Sequence, residues 1–213
     1  NEDEIALLDG YSIDMKTTYH PQQNRVDDYV NKYGIKEAKI VFAGDSYLDM
    51  WQASYNITSY EEDMKDYDSI NVGIGGTIWE EWNYMKDSLI IPYCKDQVVL
   101  HLGFNDLHKS RTKDEVFKDA KVVLEFLKTT FKDAKIGVLS VVSSPIFKNF
   151  LEEENSYNKL IEEYCQKQNF EFIDMREKME EIDKEKGAFH MDNIHPNSNG
   201  YKYYAKRLFG YEN

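Results

Sequence analysis

Cysteine and proline are scarce in this 213-residue chain, with two of the first and four of the second. Two cysteines in a chain of this length do not make a disulfide scaffold. Cys94 follows an apolar stretch and Cys165 falls on an amphipathic pattern, so both are expected as free, buried thiols. Long hydrophobic runs are absent: none approaches the ~18 residues of a membrane-spanning helix. The N-terminal "NEDEIALLDG" is acidic with only a short apolar patch and does not read as a signal peptide. The expectation is therefore a cytoplasmic protein with no integral membrane association. Because the first residue is Asn1 and not Met, a secreted protein whose leader was removed is the alternative. Positive charge is also short, with 26 Lys+Arg against 39 Asp+Glu and a formal charge of -13. No Lys/Arg stripe with interleaved aromatics occurs, which makes nucleic acid and anionic membrane poor partners and a neutral or cationic small molecule the better fit. Oligomeric state leaves no mark on the sequence.

The chain does have apolar residues in short, regular blocks. Its length suits one domain spanning 1–213, with 1–37 as an N-terminal extension packed on it, where "YHPQQN" reads as a turn and "RVDDYVNKYGI" as a short helix ended by Gly34. Beyond that, "AKIVFAG" (38–44), "SINVG" (69–73), "QVVLHLG" (97–103), "AKIGVLSVV" (134–142) and "FEFIDM" (170–175) read as strands. Helical patterns lie between them near 46–56, 77–89, 114–131 and 152–168, and a last one near 198–209 ends at Gly210. Continuous apolar strands alternating with helices predict a three-layer α/β/α sandwich around a mostly parallel five-stranded sheet.

In such sheets ligands gather at the carboxyl ends of the strands. Here those ends carry Gly-Asp-Ser (44–46), Gly-Ile-Gly-Gly-Thr (73–77) and Gly-Phe-Asn-Asp (103–106), and "MDNIHPNSNGY" (191–201) can join them. Each segment alone is what any strand-to-helix turn uses. Together they hold the parts of an acyl-transfer site: a nucleophile, a base, a group that orients the base, and donors for a developing oxyanion. Ser46 stands at a helix N-terminus, where its own N–H and the positive end of the helix dipole favour negative charge. His195 is the candidate base. Asp192, three residues away in the same loop, can accept its Nδ1–H and so leave Nε2 free for the serine proton. Gly76 can offer an unobstructed backbone N–H and Asn105 a carboxamide donor. Tyr47, Trp79 and Phe104 are candidates for lining a substrate pocket.

In order and spacing, Ser in "GDS", Gly in "NVGIGG", Asn in "GFND" and Asp/His in "DNIHP" resemble the four blocks of the SGNH hydrolase superfamily, also called the GDSL esterases and lipases. The resemblance covers roughly residues 38–209. It implies a flavodoxin-like sandwich, a serine hydrolase acting on carboxylic esters without a cofactor, Ser46 as nucleophile, Gly76 and Asn105 as oxyanion donors with the Ser46 N–H, and Asp192 and His195 as acid and base. Tyr47 stands where the name-giving motif has Leu, which weakens the lipase label more than the hydrolase one. The elbow G-x-S-x-G of a different hydrolase fold is absent, and no long insertion offers a lid over a lipid cleft. Small or short-chain acyl esters, acetylated carbohydrate among them, are thus the expected substrates.

Other readings compete. "GIGGTI" starts like a dinucleotide fingerprint, but Ile78 occupies the third glycine position. His190, Asp192 and His195 offer three metal ligands within six residues, to which His101 or His108 could add, giving a metal-dependent hydrolase as the alternative. For His101, in mid-strand, a core histidine is the simpler expectation. A catalytically inactive carbohydrate-binding domain is disfavoured because every candidate position holds a competent residue.

Overall fold

The computed structural model of the chain describes residues 22–52 and 59–209. Residues 19–21 of the turn expected at 19–24 fall outside them, as do the end of the helix expected near 46–56 and Gly210. Helix α1 (Gln23–Tyr33) precedes β1 (Ala38–Gly44), α2 (Ser46–Gln52), a single turn α3 (Tyr60–Asp63), β2 (Ser69–Asn71) and α4 (Trp79–Leu89). Then come β3 (Cys94–His101), α5 (Phe104–His108), α6 (Lys113–Thr130), β4 (Lys135–Leu139), a 3-10 segment (Pro145–Phe150) and α7 (Leu151–Gln168). The chain closes with β5 (Glu171–Ile173), α8 (Arg176–Lys186) and α9 (Ser198–Phe209).

The five strands form one sheet in the order β2-β1-β3-β4-β5, and every pairing is parallel. Alternate strand residues feed two separate cores. Val41, Ala43, Val98, Leu100, Ile136 and Val138 join Tyr29 of α1, Trp82 of α4, Leu124 of α6 and Ile161 of α7. Phe42, Val99, Leu139 and Ile173 face the other way, onto Leu48 and Trp51 of α2, Met179 and Ile182 of α8 and Tyr204 of α9. The period-2 alternation across a parallel sheet thus yields the three layers.

Helix α8 escaped the sequence reading because its sequence, REKMEEIDKEK, buries only Met179 and Ile182, two positions three apart on an otherwise charged surface. Helix α1 matches the short helix expected before Gly34, which ends it at φ +66°. Both cysteines are free and buried. No described helix is long and apolar enough to cross a membrane.

Chain order reverses between β1 and β3: the connection after β1 leads outward to β2, and the chain then returns to pair β3 on the other side. That switch point is where a doubly wound sheet leaves a crevice. The two strands approach closely there, since a Cβ on Gly44 would sit 2.2 Å from the His101 carbonyl oxygen.

Candidate active site

Asp45 and Ser46 leave the end of β1 together, with different jobs. The Asp45 carbonyl accepts the N–H groups of Leu48 and Asp49, and its Oδ1 accepts the Tyr47 N–H at 2.9 Å, so Asp45 caps α2. The carboxyl is fully buried, with Oδ2 lacking a partner, and burial pushes it up to about 8. Ser46 is thereby set in the first turn of α2, its side chain clear of the capping role.

The opposing wall is the loop between α8 and α9. It is closed by the Phe189–Pro196 bridge and by hydrogen bonds from His190 N–H to the His195 carbonyl (2.9 Å) and from Asn197 N–H to the Ala188 carbonyl (2.8 Å). Within it Asp192 Oδ1 accepts the Ile194 and His195 N–H groups at 2.9 and 3.1 Å, and Oδ2 lies 2.7 Å from His195 Nδ1. His195 Nε2 in turn lies 2.8 Å from Ser46 Oγ. Burial works against the Asp192 carboxylate, but the hydrogen bonds from His195 and from the two N–H groups prevail and hold it below the usual carboxylate range. The His195 and Asp192 side chains are 16% and 18% exposed, screened from bulk water yet reachable. The Tyr47 ring packs against His195 at 5.3 Å between centroids and fixes the tilt of the imidazole.

The two candidate donors follow the ends of the neighbouring strands. Gly76 adopts φ +79°, open to glycine and strained for other residues, with space where a Cβ would be. Asn105, in α5 after β3, donates through Nδ2 to the Thr77 carbonyl at 3.0 Å, bringing its carboxamide beside the Gly76 turn. Among the described residues, no acceptor takes the N–H of Ser46 or Gly76. Asp106, next to Asn105, serves the architecture, since its buried carboxyl accepts the Trp79 N–H at the start of α4 at 3.2 Å.

Ser46, His195 and Asp192 are thus joined in one chain of contacts, Gly76 follows Gly75, on which a Cβ would lie 3.7 Å from the Ser46 Cβ, and Asn105 is tied to Thr77 beside it. The pocket candidates do not line the crevice. Tyr47 and Trp79 are fully buried and Phe104 is 6% exposed. Their large rings follow the strand ends and fall into the core, Tyr47 against His101 and Phe104 and Trp79 bonded through Nε1 to the Tyr157 hydroxyl at 2.7 Å. His101 is a core histidine, pushed down to about 3 by burial, with Nε2 2.9 Å from the Tyr204 hydroxyl. Among the described residues, no group of three His, Cys, Asp or Glu is placed to hold a metal ion. His195 instead turns one ring nitrogen to Asp192 and the other to Ser46. Asp49, three residues after Ser46, pairs with Arg25 of α1 through both carboxylate oxygens at 2.8 Å; neither was singled out from the sequence, where only the i+3 spacing of Asp49 from Ser46 gave a signal.

A parallel α/β/α sandwich with these groups at its switch point defines a hydrolase class whose members cleave esters. The model of the GDSL-like lipase/acylhydrolase family matches residues 42–203, and the chain belongs to that family. No curated protein matches the sequence. Among solved structures, a protein from Streptococcus pneumonia shares 19% identity at TM-score 0.75, over 89% of this chain and 92% of its own. A GDSL-like lipase from Bacteroides thetaiotaomicron shares 18% at TM-score 0.69, over 90% and 96%. The acetylxylan esterase from Geobacillus stearothermophilus shares 17% at TM-score 0.65, over 83% and 94%. At these identities the likeness is one of fold.

Proposed function

We propose that the protein is a serine esterase that cleaves small or short-chain acyl esters through an acyl-enzyme intermediate. The continuous path from Ser46 Oγ to His195 Nε2 (2.8 Å) and from His195 Nδ1 to Asp192 Oδ2 (2.7 Å) carries the reading. Asp192 accepts the Nδ1 proton, so Nε2 is the basic nitrogen facing the serine. Ser46 Oγ attacks the ester carbonyl carbon as its proton passes to Nε2. The carbonyl oxygen becomes an oxyanion facing the N–H groups of Ser46 and Gly76 and the Asn105 carboxamide. That carboxamide has two N–H bonds; one goes to Thr77, and the other remains for the oxyanion. Collapse breaks the C–O bond to the alcohol, which leaves with the Nε2 proton. A water, deprotonated by the same nitrogen, then attacks the acyl-serine and returns the acid and free Ser46.

The charge of -13 favours uncharged or cationic substrates. The likeness in fold to an acetylxylan esterase supports acetylated carbohydrate as the first substrate class to try. The test is hydrolysis of p-nitrophenyl esters from acetate to palmitate beside acetate release from acetylated xylan. Preference for acetate is the expected result. Preference for palmitate would make the enzyme a lipase, and no turnover of any ester would overturn the proposal.

A further inference from the structure

Helix α1 precedes the family-matched residues 42–203, yet one of its side chains reaches the strand-end loops. Arg25 donates through Nη1 to Asp49 Oδ2 and through Nη2 to Asp49 Oδ1, both at 2.8 Å. Asp49 follows Ser46 by three residues in α2, so the two share a helical face. Asp49 Oδ2 also accepts the Gly75 N–H at 2.9 Å. A Cβ on Gly75 would lie 3.5 Å from that oxygen and 3.7 Å from the Ser46 Cβ, so the Gly75–Gly76 turn rests directly on this face. Tyr29, one turn beyond Arg25, braces the segment between β2 and the turn. Its hydroxyl donates to the Gly73 carbonyl at 2.5 Å and accepts from Arg25 Nη2 at 3.2 Å.

A carboxylate on a short side chain rotates about its last bond unless both oxygens are held. The planar guanidinium fork holds both and fixes the direction in which Oδ2 meets Gly75. The next N–H along the backbone belongs to Gly76. We propose that Arg25 is a positioning residue: by clamping Asp49 it fixes the Gly75–Gly76 turn, and hence the direction of the Gly76 N–H, relative to Ser46. This rests on the serine-esterase reading above, in which Gly76 is an oxyanion donor. The family-matched region thus depends on a preceding helix for the alignment of one donor.

The test compares wild type with Arg25→Met, Arg25→Lys and Asp49→Asn, using p-nitrophenyl acetate and active sites titrated with a fluorophosphonate. Misplacing a reacting group by about 1 Å costs on the order of a hundredfold, and losing an oxyanion donor a hundred- to a thousandfold. Arg25→Met is therefore expected to lower kcat per titrated site by about ten- to a hundredfold while KM stays within about twofold. Arg25→Lys, with one point donor in place of the fork, recovers part of the loss. Asp49→Asn keeps an oxygen for Gly75 but breaks the fork and lowers kcat in the same way, and it decides the matter where Arg25→Met does not fold. A smaller titratable fraction with unchanged kcat per site would show a purely structural role and overturn the proposal. A wild type that hydrolyses the ester but is not labelled at Ser46 would instead overturn the serine reading.

Discussion

Replacing Asp192 by Asn changes one heavy atom and, on the proposed mechanism, reverses the chemistry of His195. Asp192 Oδ1 accepts two backbone N–H groups, from Ile194 at 2.9 Å and His195 at 3.1 Å. The asparagine carbonyl must take that place, because an amide nitrogen there would face two donors. The NH2 group then occupies the Oδ2 position, 2.7 Å from His195 Nδ1, and presents a donor where the carboxylate accepted. Nδ1 has to become the acceptor, and the imidazole proton moves to Nε2, which faces Ser46 Oγ at 2.8 Å. The base is lost while the loop keeps its backbone hydrogen bonds. By comparison with the same exchange in other Ser-His-Asp enzymes, kcat should fall on the order of 10⁴-fold, about 5 kcal/mol of transition-state stabilisation. The melting temperature should barely move. The carboxyl lies below the usual carboxylate range, so across about pH 6 to 9 it is charged in the wild type and the two proteins are cleanly compared. Initial rates of p-nitrophenyl acetate hydrolysis give the answer. A variant within about tenfold of wild type would refute both the tautomer argument and the assignment of Asp192.

On the proposed mechanism Asn105→Ala removes a donor to the developing oxyanion, so kcat should drop by about a hundred- to a thousandfold with little change in KM; a change in KM alone would make Asn105 a substrate-binding residue. Gly44→Ala would drive a Cβ to 2.2 Å from the His101 carbonyl oxygen and force β1 and β3 apart. Its melting temperature should fall by about 10 °C or more, and an unchanged melting curve would contradict the close approach. Burial raises Asp45 to about 8 and Asp106 to about 7, so between about pH 4 and 8 the folded protein binds more protons than the unfolded chain. Stability should then decline as pH rises through that window, less steeply below about pH 6.5 where His101, held near 3 by burial, works the other way, and level off above it, whereas Asp192 gives stability that is lost only as pH falls below the usual carboxylate range. Urea midpoints at about pH 5 and pH 8 check the sign; a higher midpoint at pH 8 would contradict it.

The sheet was readable because its strands are continuous apolar runs broken by Gly, Asp and Asn, a pattern that a parallel sheet covered on both faces imposes. Boundaries shifted where chain beyond the ladder stays apolar: Val72 and Val141 are buried without belonging to a strand. The residues proposed for acyl transfer could be picked out because each sits within a few residues of a strand end or, for Asp192 and His195, in one short loop. Tyr47, Trp79 and Phe104 misled because nearness in sequence to a strand end does not say whether a ring turns toward the crevice or the core, and these three turn to the core. The Arg25–Asp49 clamp spans 24 residues and joins two helices, so only the packed structure brings it together.

Covalent trapping of the nucleophile tests the central claim most directly. Incubation with a fluorophosphonate followed by intact-mass and peptide mass analysis should show one adduct, on Ser46, in step with loss of ester hydrolysis. Ser46→Ala should fold, take no label and hydrolyse nothing above background, since a serine in the first helical turn contributes at most about 1 kcal/mol to stability while the nucleophile has no substitute. Labelling at another residue, or undiminished turnover by Ser46→Ala, would contradict the serine mechanism.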